Sequence, residues 1–503
     1  MNQPLICLTL TSRTIAEDLA LVNKYRSCID LVELRVDYLD EDERFQIRSF
    51  PEQAHIPVIL TIRRKTDGGK FEGGEAARTM LFARALAFAD QDPTKNFAYV
   101  DFEDDFRIPS LQEGALAFGT RIIRSYHNMS APVTNIAERL KAMRLTGFEI
   151  PKIAFMPHSL SDVTNLFREA EEISSGDHIL CAMGPVGMPS RILSYKLHSY
   201  LTYTTAPENV DNTKILGHID PLTLCNTYHF KKLDNDTSIY AVTGFPLEST
   251  SSPALHNKGY EKHHMNAVFI PVRARTIEEM MEFADQIGIK GFAVTVPHKE
   301  SVLQYLQEVS AQVGEIGACN TVVKRGARWY GHNTDAYGFS CALREFLGTG
   351  NLRRQKVAII GAGGAAKAVA YAVKELNGKA CIFNRTVSKA KIIAESFGFT
   401  YAPLSPDSES LLEQYSSVII QTTSKGMGTS LPATEQNDPL WFYKFNGTEK
   451  LFDIVYVPEV TPVMSRAAAA GCKVSNGYPM LKYQGYEQFR LFTGVDYEDF
   501  DAE

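Results

Sequence analysis

Two lysines stand in apolar surroundings at distant positions of this chain, and each could do chemistry. Lys152 lies within the largely apolar segment 150–156, and Lys299 follows the apolar run 294–296. A free lysine amine has a pKa near ~10.4, so it becomes a base or nucleophile at neutral pH only when burial or a nearby cation lowers that value. Two such lysines in unrelated frameworks predict two separate active sites.

The composition is that of a mixed, weakly acidic chain. It has 503 residues, 52 basic and 59 acidic residues, a net charge of −7 and 44% hydrophobic residues. This balance argues against a nucleic-acid surface, and the length predicts about three globular units. The eight cysteines are scattered without a C-x-x-C pair, and no metal-ligand spacing occurs, so we expect reduced thiols and no metal. Without a basic leader or a long apolar segment, we expect a cytoplasmic protein that binds no membrane; its oligomeric state stays open.

Short apolar stretches alternate with amphipathic helical patterns over residues 1–230. They predict eight strands, at residues 6–10, 31–37, 58–63, 98–103, 121–127, 152–156, 178–183 and 200–204. Eight βα units in this length are typical of a (β/α)8 TIM barrel, whose catalytic residues lie at the carboxyl ends of the strands. Polar residues cluster at those ends: Glu33, Arg35, Arg63, Glu103, His127 and Lys152. We therefore predict an α/β chain that begins with a barrel and carries an active site on this rim. The alternative is that these groups only cap the barrel.

A second α/β series follows a polar linker at residues 231–237. Its predicted strands lie at residues 239–243, 267–269, 291–296 and 319–323, and a further strand at 356–360 precedes a predicted helix at 367–375. The turn between that strand and that helix consists of Gly361, Ala362, Gly363, Gly364 and Ala365. The spacing G-x-G-x-x-A allows a tight turn, close approach of a pyrophosphate and close helix packing, as in dinucleotide-binding folds. A plain βα turn without a ligand is the alternative.

The next predicted strand, at residues 380–383, ends in groups that suit a phosphate. These groups are Asn384, Arg385 and Thr386, with Lys389 close behind. An NAD site places a carboxylate here for the ribose 2′-hydroxyl. A guanidinium and an ammonium suit a 2′-phosphate instead. We therefore predict NADP as the cofactor, with solvated surface charge as the alternative.

Residues 1–230 resemble the type I 3-dehydroquinate dehydratases in five motifs that occur in that family's order. The motifs are Glu33-Leu34-Arg35-Val36-Asp37, Thr61-Ile62-Arg63, Ser125-Tyr126-His127, Ile150-Pro151-Lys152-Ile153-Ala154 and Pro189-Ser190-Arg191. The resemblance implies that Lys152 forms a Schiff base with the ketone of 3-dehydroquinate and that His127 is the general acid and base. It also implies, without a metal or cofactor, a set of substrate-binding residues: Glu33, Arg35 and Arg63 for the ring hydroxyls and Arg191 for the carboxylate.

Two positions depart from this family's pattern. Asp67 stands where a glutamate is common, so its reach toward His127 is one methylene shorter. In the segment Thr205-Ala206-Pro207-Glu208-Asn209, Asn209 stands where a glutamine usually contacts the substrate carboxylate. Both changes keep the carboxylate or amide group but shorten the side chain by one methylene. We expect slower turnover or a shifted loop rather than a loss of activity. We place Thr205 and Asn209 at the substrate.

Residues 238–500 resemble the shikimate dehydrogenases, so the whole chain is similar to the bifunctional enzyme of plants. The matching motifs lie at residues 244–253, 294–299, 317–321 and 331–335. The resemblance implies that NADPH reduces 3-dehydroshikimate to shikimate while Lys299 donates a proton and Asp335 orients it. It also implies substrate contacts from Thr250, Ser252, Thr295, Asn320, Tyr456 and Gln484. Thr250 stands where a serine is usual, which keeps the hydroxyl and adds a methyl group.

These resemblances imply the domain boundaries. We expect a barrel at 1–230, a linker at 231–237, a substrate-binding lobe at 238–340, an NADP-binding Rossmann lobe at 341–460 and a segment returning to the substrate lobe at 461–503.

A second hypothesis is that the C-terminal half is a quinate dehydrogenase. The rings of quinate and shikimate are nearly the same, and only loop residues such as Thr250 would discriminate between them. A ligand-sensing regulator built on inactive enzyme domains is the third hypothesis. It predicts missing catalytic groups, yet all four are present: Lys152, His127, Lys299 and Asp335.

Overall fold

The computed structural model describes residues 3–87, 90–173, 176–209, 217, 219–247, 250–429 and 431–498. The chain forms two compact units, Met1–Ile289 and Lys290–Glu503. None of the helices in the described ranges combines the length and the apolar character that a membrane span requires. The domain boundaries given above stay predictions.

Eight parallel strands form the barrel of the first unit. They are β1 (Leu5–Leu10), β2 (Leu31–Arg35), β3 (Val58–Thr61), β4 (Tyr99–Glu103), β5 (Arg121–Asn128), β6 (Ile150–Phe155), β7 (Ile179–Ala182) and β8 (Leu201–Thr205). The hydrogen-bonded order is β7-β6-β5-β4-β3-β2-β1-β8. The ring nearly closes where the backbone N–H of Tyr200 donates to the carbonyl of His178 at 2.6 Å. The barrel prediction is confirmed, and the strand ends lie within two residues of the predicted positions.

A helix follows each of the first seven strands on the outside of the barrel. These helices are α1 (Ile15–Tyr25), α2 (Phe50–Ala54), α3 (Gly74–Leu86), α4 (Pro109–Ala117), α5 (Ile136–Met143), α6 (Leu160–Glu171) and α7 (Met188–Ile192). Their starts follow local signals. Thr14, for example, caps α1 by accepting from the backbone N–H of Glu17, whose side chain bonds back to the cap.

The alternation of side chains along the strands stacks a polar layer on an apolar one. The apolar layer inside the barrel consists of Cys7, Leu31, Ile59, Tyr99, Ile123, Ile150, Ile179 and Leu201. Residues two positions further along a strand lie on the same face, one step nearer its carboxyl end. On these strands they include Thr9, Glu33, Thr61, Asp101, Ser125 and Lys152. The two-residue alternation along the strands therefore places a layer of polar side chains next to the apolar layer, nearer the carboxyl ends of the strands.

The first unit continues beyond the barrel with a parallel strand pair and two helices. These are β9 (Ser238–Gly244), β10 (Ala267–Arg273), α8 (Ser252–Lys262) and α9 (Ile277–Ile287). Helix α9 packs on α6 through an edge-to-face contact between Phe167 and Phe283, whose ring centroids lie 6.0 Å apart. Arg168 pairs with Glu282 at 3.1 Å beside this contact. The barrel therefore packs directly on the segment that follows it.

The second unit begins with four strands of a mixed sheet. They are β11 (Ile289–Val294), β12 (Glu308–Val309), β13 (Thr321–Arg325) and β14 (Arg328–His332). Strand β13 is antiparallel to β11 and β14, and β12 is parallel to β14. The predicted strands at 291–296 and 319–323 are thus present, with their ends shifted by two residues.

A parallel sheet with helices forms the rest of this unit. Its strands are β15 (Lys356–Ile360), β16 (Lys379–Asn384), β17 (Thr400–Pro403), β18 (Val418–Gln421), β19 (Lys450–Asp453) and β20 (Lys473–Ser475), in the order β17-β16-β15-β18-β19-β20. The helices of this unit are α10 (Ala311–Ile316), α11 (Thr334–Leu347), α12 (Gly364–Glu375), α13 (Val387–Phe397), α14 (Glu409–Gln414), α15 (Pro462–Ala469) and α16 (Tyr478–Thr493). The order corresponds to 3-2-1-4-5-6, that of a dinucleotide-binding sheet. The predicted Rossmann-type lobe is confirmed.

Candidate active sites

A cavity at the carboxyl end of the barrel collects most of the residues predicted for the first site. It is lined by Thr9, Glu33, Arg35, Arg63, Asp67, Gly68, His127, Met129, Lys152, Ala154, Cys181, Met183, Arg191 and Tyr203. Six of the predicted catalytic or binding residues are in this set: Glu33, Arg35, Arg63, His127, Lys152 and Arg191. Thr205 ends β8 and Asn209 follows it, and neither lines the cavity within the described residues. Their substrate contacts stay predictions.

The amine of Lys152 lies inside the barrel among groups that favour positive charge. The side chain is 6% exposed, and Nζ donates to Asp101 Oδ2 at 3.1 Å. Glu33 Oε1 lies 3.8 Å from Nζ, and the ring centroid of Tyr203 lies 4.3 Å from it. Carboxylates and aromatic faces both attract a cationic nitrogen. The Lys152 nitrogen therefore lies in contact with a buried carboxylate and close to an aromatic face.

Asp101 joins Lys152 to the arginine beside it. The Asp101 side chain is fully buried, and its Oδ2 pairs with Arg63 Nη2 at 2.8 Å. The other oxygen, Oδ1, accepts from the Ser125 hydroxyl at 2.5 Å. Burial raises the pKa of Asp101, but the charges of Arg63 and Lys152 outweigh burial and hold that pKa well below its ordinary range. Asp101 is therefore an anion at neutral pH.

A second buried carboxylate fixes the other side of Arg63. Arg63 Nη1 donates to Glu103 Oε1 and to Ser125 Oγ, each at 2.9 Å. Glu103 also pairs with the buried Arg78 at 2.6 Å. Glu103 thus forms ion pairs with two arginines, whereas Asp101 forms an ion pair with Lys152 as well as with Arg63.

Glu33 and Arg35 are held in the cavity wall by bonds to the protein itself. Glu33 accepts from the hydroxyls of Thr9 at 3.1 Å and Thr61 at 3.0 Å. Arg35 makes a two-point pair with Asp37 at 2.9 and 2.8 Å. Burial lowers the pKa of Arg35, but the charge and hydrogen bonds of Asp37 outweigh burial and raise it. Both side chains are therefore oriented before any substrate binds.

His127 brings a neutral imidazole to the same cavity. Burial lowers its pKa well below the ordinary value, and the charges of Arg63 and Lys152 add to this shift. Its Nδ1 is buried and has no hydrogen-bond partner among the described residues. Asp67, which could have reached it, accepts from Arg64 Nε at 2.8 Å. A neutral imidazole accepts a proton, so His127 suits the role of a base in this cavity.

Two residues of this site, Asp101 and Tyr203, lie outside the sequence motifs, and Ser125 lies within a motif that gives it no predicted role. A signal for Asp101 was nevertheless present. Asp101 and Glu103 alternate with apolar neighbours on β4, so both acids must face the barrel interior. Tyr203 follows Leu201 of the apolar layer with the same spacing on β8.

The second unit brings together four predicted residues of the other site. Lys299 pairs with Asp335, which lies in the first turn of α11 and is 5% exposed. Asn320 Nδ2 donates to Asp335 Oδ1 at 2.8 Å and to Gln484 Oε1 at 3.1 Å. A lysine, a carboxylate and two amides thus share one hydrogen-bonded network, an arrangement that suits general acid chemistry.

The amide of Asn320 is oriented by two residues of the motifs, and a residue outside the motifs contacts one of these two. Its Oδ1 accepts from the backbone N–H of Thr334 at 2.7 Å and from the Thr321 hydroxyl at 3.0 Å. Gln488 donates to Thr321 Oγ1 at 3.1 Å. Gln488 follows Gln484 by four residues on α16, a spacing that places both on one helix face and could have revealed it.

Four other predicted substrate residues lie at the ends of elements. Thr295 follows β11 and Tyr456 follows β19 in the second unit, and both are partly buried. In the first unit, Thr250 and Ser252 lie at the start of α8, where the Ser252 N–H donates to Thr250 Oγ1 at 3.2 Å. Residues 248–249 of that loop lie outside the described residues. The roles of these four residues stay predictions.

The glycine-rich turn after β15 fits the backbone of a dinucleotide. Gly361 has a φ of +114°, and a Cβ there would lie 2.6 Å from Thr422 Oγ1, so only glycine is accommodated. A Cβ on Gly363 would meet no atom within 4 Å, and one on Gly364 would lie 3.6 Å from Lys299 Cδ. The start of α12 therefore lies beside Lys299 and leaves room for a phosphate at its N-terminus.

The residues after β16 present positive charge to solvent. Arg385 and Lys389 are exposed, and Asn384 Nδ2 donates to the Thr386 carbonyl at 2.9 Å. The segment 384–391 contains no acidic residue. These groups suit a 2′-phosphate better than a free ribose hydroxyl. Within the described parts of the chain, no cluster of three or more His, Cys, Asp and Glu side chains could hold a metal ion.

Three family models match successive parts of the chain. Type I 3-dehydroquinase matches residues 6–235, the shikimate dehydrogenase substrate binding domain matches 242–322, and shikimate/quinate 5-dehydrogenase matches 342–437. The bifunctional 3-dehydroquinate dehydratase/shikimate dehydrogenase, chloroplastic, of Arabidopsis thaliana is 29% identical over 98% of this chain and 83% of its own length. The shikimate dehydrogenase (NADP(+)) of Thermococcus kodakarensis is 39% identical over 52% of this chain and 93% of its own length.

Solved structures align with the chain as well. The shikimate 5-dehydrogenase from Thermus thermophilus in complex with NADP(H) and shikimate aligns at 31% identity with a TM-score of 0.45, over 52% of this chain and 95% of that one. The dehydroquinate dehydratase and shikimate dehydrogenase from S. pombe aligns at 23% identity with a TM-score of 0.43, over 100% of this chain and 98% of that one.

Proposed function

The chain belongs to the type I 3-dehydroquinase family in its N-terminal half and to the shikimate dehydrogenase family in its C-terminal half, and we propose that it converts 3-dehydroquinate to shikimate in two steps. The first step is dehydration to 3-dehydroshikimate in the barrel cavity. The second step is reduction with NADPH at the Lys299–Asp335 pair. The observation that carries this proposal is that each half holds its own lysine against a carboxylate.

Dehydration proceeds through an imine on Lys152. Its nitrogen bonds to the carbon of the substrate ketone, and the carbonyl oxygen leaves as water. The positive iminium makes the proton on the adjacent carbon acidic, and His127 accepts that proton. His127 then returns a proton to the departing hydroxyl group, which leaves as water. The lowered pKa of His127 supports this role, because the imidazole is in its proton-accepting form at neutral pH. Water hydrolyses the product iminium, breaking the bond between carbon and nitrogen and releasing 3-dehydroshikimate and the free lysine.

Charged groups of the cavity bind and orient the substrate of this step. Arg191 lines the cavity and suits the ring carboxylate, because its planar fork offers two parallel donors. Glu33, Arg35 and Arg63 face the ring hydroxyls from positions fixed by their own protein partners. Because these partners hold the side chains before the substrate enters, little ordering remains to be done on binding.

Reduction takes place beside the hydrogen-bonded network of the second unit. NADPH, when bound, supplies a hydride to the ketone carbon of 3-dehydroshikimate. Lys299 donates a proton to the oxygen of that ketone as negative charge develops on it, and Asp335 orients the ammonium. Asn320 and Gln484 bond the ring hydroxyls. The glycine-rich turn would hold the pyrophosphate of the cofactor, and Arg385 with Lys389 would hold its 2′-phosphate.

A coupled assay tests the proposal as a whole. With 3-dehydroquinate and NADPH, we expect consumption of NADPH and formation of shikimate, identified by chromatography and mass spectrometry. NADH should support the reaction poorly. Direct reduction of 3-dehydroquinate, with quinate as the main product, would make the second half a quinate dehydrogenase. Binding of these compounds without turnover of either would favour a ligand-sensing regulator and contradict the proposal.

Exchange of Arg385 for alanine should weaken the use of NADPH and leave the use of NADH unchanged. A hydrogen bond to a charged group contributes about 1.5–3 kcal/mol, so the KM for NADPH should rise roughly tenfold to a hundredfold. The measurement is the KM for each cofactor during reduction of 3-dehydroshikimate. Arg353→Ala, which removes an exposed arginine before β15, is the matched control. An unchanged KM for NADPH in Arg385→Ala would remove this role.

A further inference from the structure

A buried carboxylate touches the nitrogen that forms the imine. Asp101 Oδ2 lies 3.1 Å from Lys152 Nζ and 2.8 Å from Arg63 Nη2. We propose that Asp101 is a further catalytic residue of the dehydratase, which stabilises the positive charge on the Lys152 nitrogen through the reaction. This inference rests on the proposed imine function of Lys152.

The charge on this nitrogen is the same before and after imine formation. The free amine of Lys152 attacks the ketone carbon. Counted from the ammonium, the nitrogen bonds to carbon and gives up two protons overall, and these leave with the carbonyl oxygen as water. One positive charge remains on the nitrogen. A fixed anion in contact with this nitrogen therefore favours the protonated iminium over the neutral imine. Because only the protonated imine withdraws electrons strongly, Asp101 keeps the intermediate in its reactive form.

Asp101 is better placed for this task than Glu33. Glu33 lies 3.8 Å from Nζ, and its two oxygens already accept from the hydroxyls of Thr9 and Thr61. Asp101 bonds to Nζ directly, and the Ser125 hydroxyl fixes its second oxygen at 2.5 Å. The lowered pKa of Asp101 keeps it ionised, so it acts as a counter-charge rather than as a proton acceptor.

Glu103 offers a matched control for the loss of a buried charge. It lies two residues from Asp101 on β4, is 2% exposed and pairs with the same Arg63 at 2.9 Å. Its other side-chain partner is Arg78 rather than Lys152. Glu103→Gln therefore removes an equally buried anion from Arg63 without removing the counter-charge of the reacting nitrogen.

Borohydride trapping in the presence of 3-dehydroquinate measures the protonated imine directly. Hydride adds to the iminium carbon and leaves a stable adduct on Lys152, which peptide mass mapping locates. In Asp101→Asn, we expect the rate of adduct formation and the kcat for dehydration each to fall at least about tenfold. In Glu103→Gln, we expect adduct formation to stay closer to the parent rate. Circular dichroism and the reduction of added 3-dehydroshikimate report that each variant is folded.

Several outcomes would overturn the inference. One is an adduct rate in Asp101→Asn equal to that of the parent chain, and another is an equal loss in Glu103→Gln. If Asp101→Asn does not fold, Asp101→Ser takes its place, because it also removes the negative charge beside Lys152. An unchanged adduct rate in Asp101→Ser then overturns the inference. Absence of an adduct in the active parent chain would instead contradict the imine function itself, so the two failures are distinguishable.

Discussion

Replacement of Lys152 by alanine should abolish dehydration and leave reduction intact. Without the amine there is no iminium to make the neighbouring proton acidic, and only binding and electrostatics remain to accelerate the reaction. Loss of a covalent nucleophile lowers kcat by about 10⁴–10⁶-fold in well-studied enzymes, and we expect a loss of that order here. The measurement compares formation of 3-dehydroshikimate from 3-dehydroquinate with consumption of NADPH when 3-dehydroshikimate is supplied.

The buried setting of Lys152 requires a check on stability. Its removal leaves the Asp101 and Glu33 carboxylates without one cation, and breaking a buried pair costs about 3–5 kcal/mol. Thermal unfolding of the variant therefore accompanies the assay. Lys141→Ala, on the exposed face of α5, is the control for loss of a lysine from the barrel. Loss of both activities in a folded Lys152→Ala chain would contradict two independent sites, and retained dehydration would exclude the imine.

The residues that could be predicted from sequence are those whose surroundings are local. Lys152 stands in an apolar strand, and His127 stands at the carboxyl end of another, so a regular barrel places both on one rim. The glycine-rich turn and Arg385 are local in the same sense, because one strand, one turn and one helix determine their geometry. The fold class follows from these patterns, since strand and helix periods repeat along the whole chain.

Two kinds of contact could not be predicted from the sequence. One kind joins side chains on different strands, and the other arises where several charged side chains can pair with the same partner. Asp101 and Lys152 are 51 residues apart, and only the closed order of β4, β5 and β6 brings the two side chains together. The bond of Asp67 to Arg64 is a second case. Arg64 also pairs with Asp105 at 2.8 Å, so one arginine binds two carboxylates, and Asp67 is one of them. The spacing of residues in the sequence does not predict which of several nearby charged side chains will form an ion pair.

Replacement of Lys299 by alanine should produce the opposite pattern from that of Lys152. Dehydration continues in the barrel, while reduction of 3-dehydroshikimate loses its proton donor. General acid catalysis contributes about 10²–10⁴-fold, so kcat for reduction should fall by that factor. The KM for NADPH should change little, because the predicted phosphate contacts come from the turn after β15 and from Arg385. Lys374→Ala on α12, a lysine 45% exposed, is the control.

The double variant of Lys299 and Asp335 separates a catalytic pair from a structural ion pair. If Asp335 acts by orienting Lys299, Asp335→Asn should lose much of the same activity, and the double variant should be little worse than Lys299→Ala. If the pair only stabilises the fold, each change should lower the unfolding temperature while kcat stays near the parent value. A chain that lacks Lys299, remains folded and still reduces 3-dehydroshikimate at the parent rate would contradict proton donation by this lysine. Asn320 bonds to Asp335 at 2.8 Å, so it would keep the carboxylate in place in the Lys299→Ala chain. A loss of activity there is then attributable to the missing ammonium rather than to a displaced aspartate.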